Sequence, residues 1–167
     1  MKSISDTSER AEMIRRPVFT VLGPLSQFPE RTVRTFTLDE MSVGIVCANG
    51  EVFGFINRCP HQGGPVCEGE LSGSIESRRA GEYNYDPQAL VLRCPWHGWE
   101  FRLTDGTCTI PRHNVKIPRL KVQATRLDVL RREAESSGAT LAFAHDCGNL
   151  PEGIMVVALR QHLPSHA

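Results

Sequence analysis

Two short loops constrain this chain more than any other feature. One reads Cys59-Pro60-His61-Gln62-Gly63-Gly64-Pro65, the other Cys94-Pro95-Trp96-His97-Gly98-Trp99. Each offers one thiolate and one imidazole, as Cys-x-His and Cys-x2-His, with glycine soon after the histidine. Those are the common sulfur and nitrogen ligands of protein-bound transition metals. A strand-like run precedes each loop, Glu51–Ile56 before the first and residues 89–93 before the second. Loops at the ends of two strands can close on a metal from opposite sides.

The rest of the chain reads as an all-β scaffold for those loops. Thr32–Leu38, Met41–Ala48 and Glu51–Ile56 alternate or are rich in β-formers, and Asn49-Gly50 joins the last two as a hairpin signal. Residues 100–103 and 107–110 flank Thr104-Asp105-Gly106 as a second hairpin, and residues 115–117 and 119–124 follow around Pro118. Leu127–Ser137 departs from this pattern. Leu127 and Leu130 stand three apart among charges, and Gly138 can cap the end, so a short helix is expected. Residues 139–151 read as loop with some strand, and residues 153–159 (GIMVVAL) as a closing strand. Strands this short and this closely spaced predict a small sandwich or barrel.

Composition narrows the function. Nineteen basic and nineteen acidic residues leave no net charge, which argues against a nucleic-acid partner held by bulk positive charge. No apolar run is long enough to span a membrane. Residues 1–16 read as a polar arm. Arg15-Arg16 before Val18 and Phe19 loosely matches an export signal, but Gly23-Pro24 breaks the apolar stretch and no cleavage site follows, so a cytoplasmic location is expected. Six cysteines then point to metal or redox chemistry before disulfides.

Three readings of the paired loops stay open on residue chemistry alone. They are structural turns, a zinc site, or a [2Fe–2S] cluster in which two histidines replace two cysteines on one iron. Two matched loops weaken the first reading. The second lacks the helix that carries the paired histidines of zinc fingers.

The pair Cys59-x-His61 and Cys94-x2-His97, with Gly63, Gly64 and Gly98, resembles the ligand signature of Rieske [2Fe–2S] proteins, and residues 17–124 resemble their whole domain. The resemblance implies a Rieske-like antiparallel β-sandwich over residues 17–160, with a cluster-binding subdomain near 57–112 and a helix within a C-terminal insertion. Residues 161–167 are expected to fray. It implies that Cys59 and Cys94 hold one iron and His61 and His97 the other, with one cluster per chain. Two ferric ions, two sulfides and two thiolates carry no net charge. Four thiolates would leave the cluster anionic, so imidazole ligation raises the reduction potential.

The chain also departs from parts of the family. Respiratory members carry a further cysteine in each loop, paired as a disulfide; Gly64 and Trp96 stand there here. High-potential members have a serine and a tyrosine donating to the cluster; Trp99 and Phe101 take those places. Fewer donors predict a potential near the low end of the Rieske range of about −150 to +300 mV. The spacer between His61 and Cys94 is longer than in ferredoxins of this kind, with its excess at residues 71–88. This insertion is read as a solvated hairpin, with partner docking as the functional alternative. A second insertion covers residues 128–151. Cys47 is expected in the core, and Cys67, Cys108 and Cys147 receive no role. His145-Asp146-Cys147 is too short a pattern to assign.

The remaining histidines, His113, His145, His162 and His166, lack a preceding carboxylate that would suggest a mononuclear iron triad. The chain is therefore not expected to be an oxygenase by itself. The resemblance implies a one-electron carrier that takes electrons from a flavin-type reductase and passes them to a terminal oxygenase, with no small-molecule substrate at the cluster. The alternatives are a small Rieske subunit of a larger oxidoreductase, of the nitrite-reductase kind, and a cluster-based redox sensor. Docking would use the tip formed by Pro60, His61, Trp96 and His97. Arg119, Lys121, Arg126, Arg131 and Arg132 outnumber Asp128 and Glu133 by three charges, which allows an acidic partner.

Overall fold

The computed structural model describes residues 17–110, 113–144 and 153–160. The chain divides into two compact units, Ser26–Leu120 and the pair of segments Met1–Leu25 with Lys121–Ala167.

The first unit begins as a meander of β2 (Thr32–Leu38), β3 (Met41–Ala48) and β4 (Glu51–Ile56), all antiparallel. Their limits are those expected from the alternation. Asn49 and Gly50 turn the second hairpin with φ of 54° and 77°, the mirror-image turn that matches strand twist. The first hairpin uses the same device with less suitable residues, Asp39 (φ 46°) and Glu40 (φ 66°). The first two residues of β8 (Arg119–Arg126) pair with β4, Leu120 opposite Gly54 and Arg119 opposite Phe55.

A second sheet in this unit orders β5 (Glu70–Glu76), β6 (Asn84–Arg93) and β7 (Glu100–Arg102). The inserted residues after Leu71 form a long β5–β6 hairpin, its register broken between Gly73 and Ser74. Ile75 pairs across it with Tyr85, and Ile75, Tyr83 and Tyr85 are all exposed. The base of the hairpin is buried: Leu90 and Leu92 join Val46, Phe53, Phe55, Phe101 and Ile117 in one apolar core, which also encloses Cys59 and Cys94. This core fixes both loops.

The strand expected at residues 107–110 is not a full strand. Phe101 bridges Cys108, and Thr107 bridges Lys116, as isolated pairs. The reason is local: the Asp105 carboxylate accepts from the Thr107 N–H at 2.9 Å and from its hydroxyl at 2.8 Å. That side-chain turn competes with a continuous ladder.

In the second unit β8 pairs with β10 (Ile154–Arg160), β10 with β1 (Val18–Pro24), and β1 with β9 (Thr140–Phe143). The β1–β9 pair is parallel, where only antiparallel pairing was expected. The helix α1 (Leu127–Ser137) explains it, because a helical crossover returns the chain so that β9 runs in the same direction as β8. Leu130 and Ala134 of α1 are buried against Phe19, Val21, Met155 and Val157, with Leu127 packed beside them. Gly138 ends the helix at φ 65°, as the sequence implied. Val18–Pro24, read from sequence only as an apolar stretch broken at Gly23-Pro24, is a seven-residue strand. His145-Asp146-Cys147 and both termini lie outside the described residues.

Candidate metal centre

The two loops close by the same turn built twice. The Cys59 N–H donates to the Gly64 carbonyl at 2.8 Å, and the Gly63 N–H donates to the Cys59 carbonyl at 2.8 Å. In the second loop the Cys94 N–H donates to Trp99 at 2.8 Å, and the Gly98 N–H to Cys94 at 3.0 Å. Gly63 and Gly98 occupy the same place in each turn and both take left-handed backbone, with φ of 78° and 68°. That conformation is what glycine supplies without a Cβ penalty.

The loops are also pressed together. A methyl group on Gly64 would lie 2.8 Å from Trp96 Cδ2 and 3.2 Å from Cys94 Sγ. At the far end of the first loop, a methyl on Gly69 would collide with the Arg93 carbonyl, just ahead of the second. Glycine here buys approach, at two places where the loops meet.

Asn57 secures the first loop. Its side-chain carbonyl accepts from the buried Cys67 N–H at 2.7 Å, and its amide donates to Ser42 Oγ at 3.0 Å. One side chain thus joins the start of the loop to its end and to β3. No motif flagged it.

The four candidate ligands separate by burial. Cys59 and Cys94 are 3% and 2% exposed, while His61 and His97 face solvent. The imidazole rings meet edge to face, centroids 4.7 Å apart. Burial pushes the Cys59 thiol up. The backbone N–H groups of His61 and Gln62, directed at its sulfur, act the other way, and the neighbouring Cys94 thiol adds to the rise. The Cys94 thiol is near enough to act on Cys59 and the two imidazoles are in ring contact, so the four side chains make a buried thiol pair and an exposed imidazole pair. Among the described residues no three His, Cys, Asp or Glu side chains gather at one point. A bridged two-iron cluster needs only two protein ligands on each iron, which the two pairs fit.

Trp99 has a place the sequence did not reveal. It stacks on His61 at 4.3 Å and 11°, and on its other face stacks His113 at 4.4 Å and 27°. The indole therefore braces one candidate ligand. Trp96 is 57% exposed beside His97, with ring centroids 6.4 Å apart. Arg58 and Lys116, also unmarked by any motif, flank a cleft beside the first loop.

The other cysteines do not join the site as ligands. Cys47 is buried in β3, as expected. Cys67 packs against Gly44, where an added Cβ would overlap its side chain, and burial pushes its thiol up to about 12. Cys108 is buried in the same core. All five described cysteines are free. In the second unit, Asp128 pairs with Arg126 at 3.0 Å and with Arg132 at 3.2 Å, which spends part of the basic excess expected there.

The Rieske [2Fe-2S] domain family matches residues 18–121. No curated protein matches the chain by sequence. Among solved structures, the chain is similar to the ferredoxin of carbazole 1,9a-dioxygenase from Nocardioides aromaticivorans IC177, at 20% identity over 64% of this chain and 88% of that one, TM-score 0.48. It is similar also to a putative NADH-dependent nitrite reductase small subunit from Mycobacterium tuberculosis, at 18% identity over 88% of this chain and 98% of that one, TM-score 0.53. At these identities the likeness is one of fold. The family match covers well over half of the chain, across both loops and the sheets that hold them, and on that ground the chain belongs to the Rieske [2Fe–2S] domain family.

Proposed function

We propose that the chain is a one-electron carrier in which Cys59 and Cys94 bind one iron of the [2Fe–2S] cluster and His61 and His97 the other. The observation that carries the ligand assignment is one pair of buried thiols and one pair of exposed imidazoles, supplied by the same two loops. The cluster supplies the redox change. The protein supplies a buried sulfur end with N–H donors from His61 and Gln62, and an exposed imidazole end through which a partner is reached. A flavin-type reductase is the donor in this reading and a terminal oxygenase the acceptor; the acceptor half is supported by a similar structure at TM-score 0.52, a complex of reduced oxygenase and oxidized ferredoxin in carbazole 1,9a-dioxygenase. A cytoplasmic setting fits Cys47, Cys67 and Cys108, the described cysteines outside the ligand set, which are free. No helix among the described residues is long and apolar enough to cross a membrane.

A second reading is a tightly held small subunit of a larger oxidoreductase. It draws on the nitrite reductase small subunit, whose fold likeness reaches 88% of this chain and so extends beyond the family match. Purification from the native host decides between them: a stable complex of fixed stoichiometry supports the subunit, a free protein the carrier.

EPR of anaerobically purified, dithionite-reduced protein tests the ligand set, with iron, sulfide and zinc assayed on the same sample. The expected result is a reduced [2Fe–2S] signal with two nitrogen couplings. A native spectrum surviving in His61→Ala or His97→Ala refutes the assignment, and one zinc per chain with no signal removes electron transfer altogether.

A further inference from the structure

We propose that the cleft flanked by Arg58 and Lys116 seats acidic side chains of the protein that exchanges electrons with this chain. The inference rests on the carrier reading and adds the chemistry of its partner.

The cleft has a volume of about 400 Å³ and runs along the first loop. Ile56, Pro60 and Pro118 give it apolar walls, His61 stands in it, and among the described residues its charged lining is Arg58 and Lys116. Both cations are exposed. Neither belongs to an ion pair found among the described residues, where Arg93, Arg126 and Arg132 take the carboxylates of Glu70, Glu100 and Asp128. The carboxylate that Lys116 does influence, Asp105, is already engaged by the Thr107 N–H and hydroxyl. Arg58 lies over the loop itself, since a methyl on Gly63 would be 3.8 Å from its Nε.

This is a local positive site on a chain with no net charge. A guanidinium offers a paired fork to a carboxylate, and an ammonium a movable point charge. Exposed charges of this kind set encounter rate and orientation more than final affinity. Apolar walls between the two cations give the partner something to desolvate once the charges have aligned it. A partner held by carboxylates at Arg58 and Lys116 rests against His61, one of the two exposed candidate ligands. The step is then a single electron passing from the reduced cluster to an oxidised centre in the partner, with no bond made or broken. A protein surface with Asp or Glu around its redox centre fits this site, and a basic one is repelled.

The test uses the reduced holoprotein and two acceptor proteins of opposite charge: an acidic copper(II) protein, a plastocyanin, and a basic ferric haem protein, a cytochrome c. Stopped-flow transfer to each is followed at low and high salt. For Arg58→Glu with Lys116→Glu, transfer to the plastocyanin at low salt is expected to slow by about tenfold or more, and transfer to the cytochrome to quicken. High salt is expected to remove most of the difference. Arg78→Glu with Arg79→Glu makes the same charge change on the β5–β6 hairpin and is expected to move either rate by less than about twofold. Equal effects from the two pairs would mean that bulk charge governs the encounter, and would overturn the proposal. So would inorganic phosphate binding to the wild type alone while neither acceptor's rate responds to the Arg58 and Lys116 reversal; the cleft would then be a small-anion site. Iron and EPR are read first on every variant. A wild-type chain that takes up no cluster sinks the carrier reading and this cleft with it, whereas a loaded chain indifferent to the reversal sinks only the cleft.

Discussion

Gly63 and Gly64 are neighbours, and the same added methyl is expected to act on them by different routes. Gly63 has φ +78°, and a methyl there would meet only Arg58 Nε, at an ordinary 3.8 Å. The cost of Gly63→Ala is therefore backbone strain, about 1–2 kcal/mol for a left-handed L-residue. At about 2–4 °C per kcal/mol for a domain of this size, Tm should fall by a few degrees. The turn itself is kept, so the cluster should load. Gly64 has no such backbone requirement. Its methyl would sit 2.8 and 2.9 Å from Trp96 Cδ2 and Cγ, and 3.2 Å from Cys94 Sγ. The Trp96 ring is 57% exposed and has room to swing outward, whereas Cys94 is 2% exposed and its sulfur must move within the core. Overpacking of this sort costs about 1–3 kcal/mol. That range overlaps the strain at Gly63, but it falls on a candidate ligand. Gly64→Ala should therefore hold less iron and sulfide than Gly63→Ala at comparable Tm, and adding Trp96→Ala should not restore the loss. The assay is iron and sulfide per chain with visible absorbance, beside a thermal melt. A fully loaded Gly64→Ala with a native spectrum, or a Gly63→Ala that loses its iron, would refute this account.

Other expectations follow from single contacts. Asn57→Ala leaves the buried Cys67 N–H without its 2.7 Å acceptor. The expected loss is about 1–3 kcal/mol in a denaturant titration, and a loss below about 0.5 kcal/mol would show that Asn57 is not needed to satisfy it. Glu40→Gly relieves a left-handed residue at φ 66° in the β2–β3 turn and should raise Tm by about 2–4 °C, with an unchanged or lower Tm counting against the strain. His61→Ala and His97→Ala are each expected to abolish the native optical and EPR signature, as set out above.

Most of the fold was legible where local chemistry and tertiary structure agree. Asn49-Gly50 and the runs beside it specified a hairpin, and Leu127, Leu130 and Gly138 specified α1 with its cap. The turn at Asp39-Glu40 carried no such chemistry; its left-handed residues are held there by the ladders on either side. The parallel β1–β9 pair was illegible because a strand's partner is set by where the crossover helix returns it, and residue pattern does not encode that. The ligand candidates were legible because metal chemistry restricts them to a few residue types at short spacing. Their supports were not. Asn57, His113, Arg58 and Lys116 act across the fold, as an acceptor for a distant N–H, a ring on the far face of Trp99 and charges beside a loop. Any of them is an ordinary surface or turn residue when read along the chain.

Trp99 ties this architecture to the reduction potential. High-potential Rieske proteins are expected to have a hydroxyl at its position, and here an indole is stacked between His61 and His113. Phe101, at the second such position, is fully buried in the core. The chain has thus given both positions to packing, and neither side chain offers a hydroxyl to stabilise the more negative reduced state. The potential should lie near the low end of the range of about −150 to +300 mV, and a value above about +100 mV would refute this reasoning. Trp99→Ser alone is ambiguous, because it removes the brace on His61 as well as adding a hydroxyl. Trp99→Leu removes the brace and adds no donor, so the difference between the two variants isolates the hydroxyl. Serine should give the higher potential. Equal potentials in the two would mean that the hydroxyl reaches no sulfur from this position, and that what Trp99 contributes here is its grip on His61.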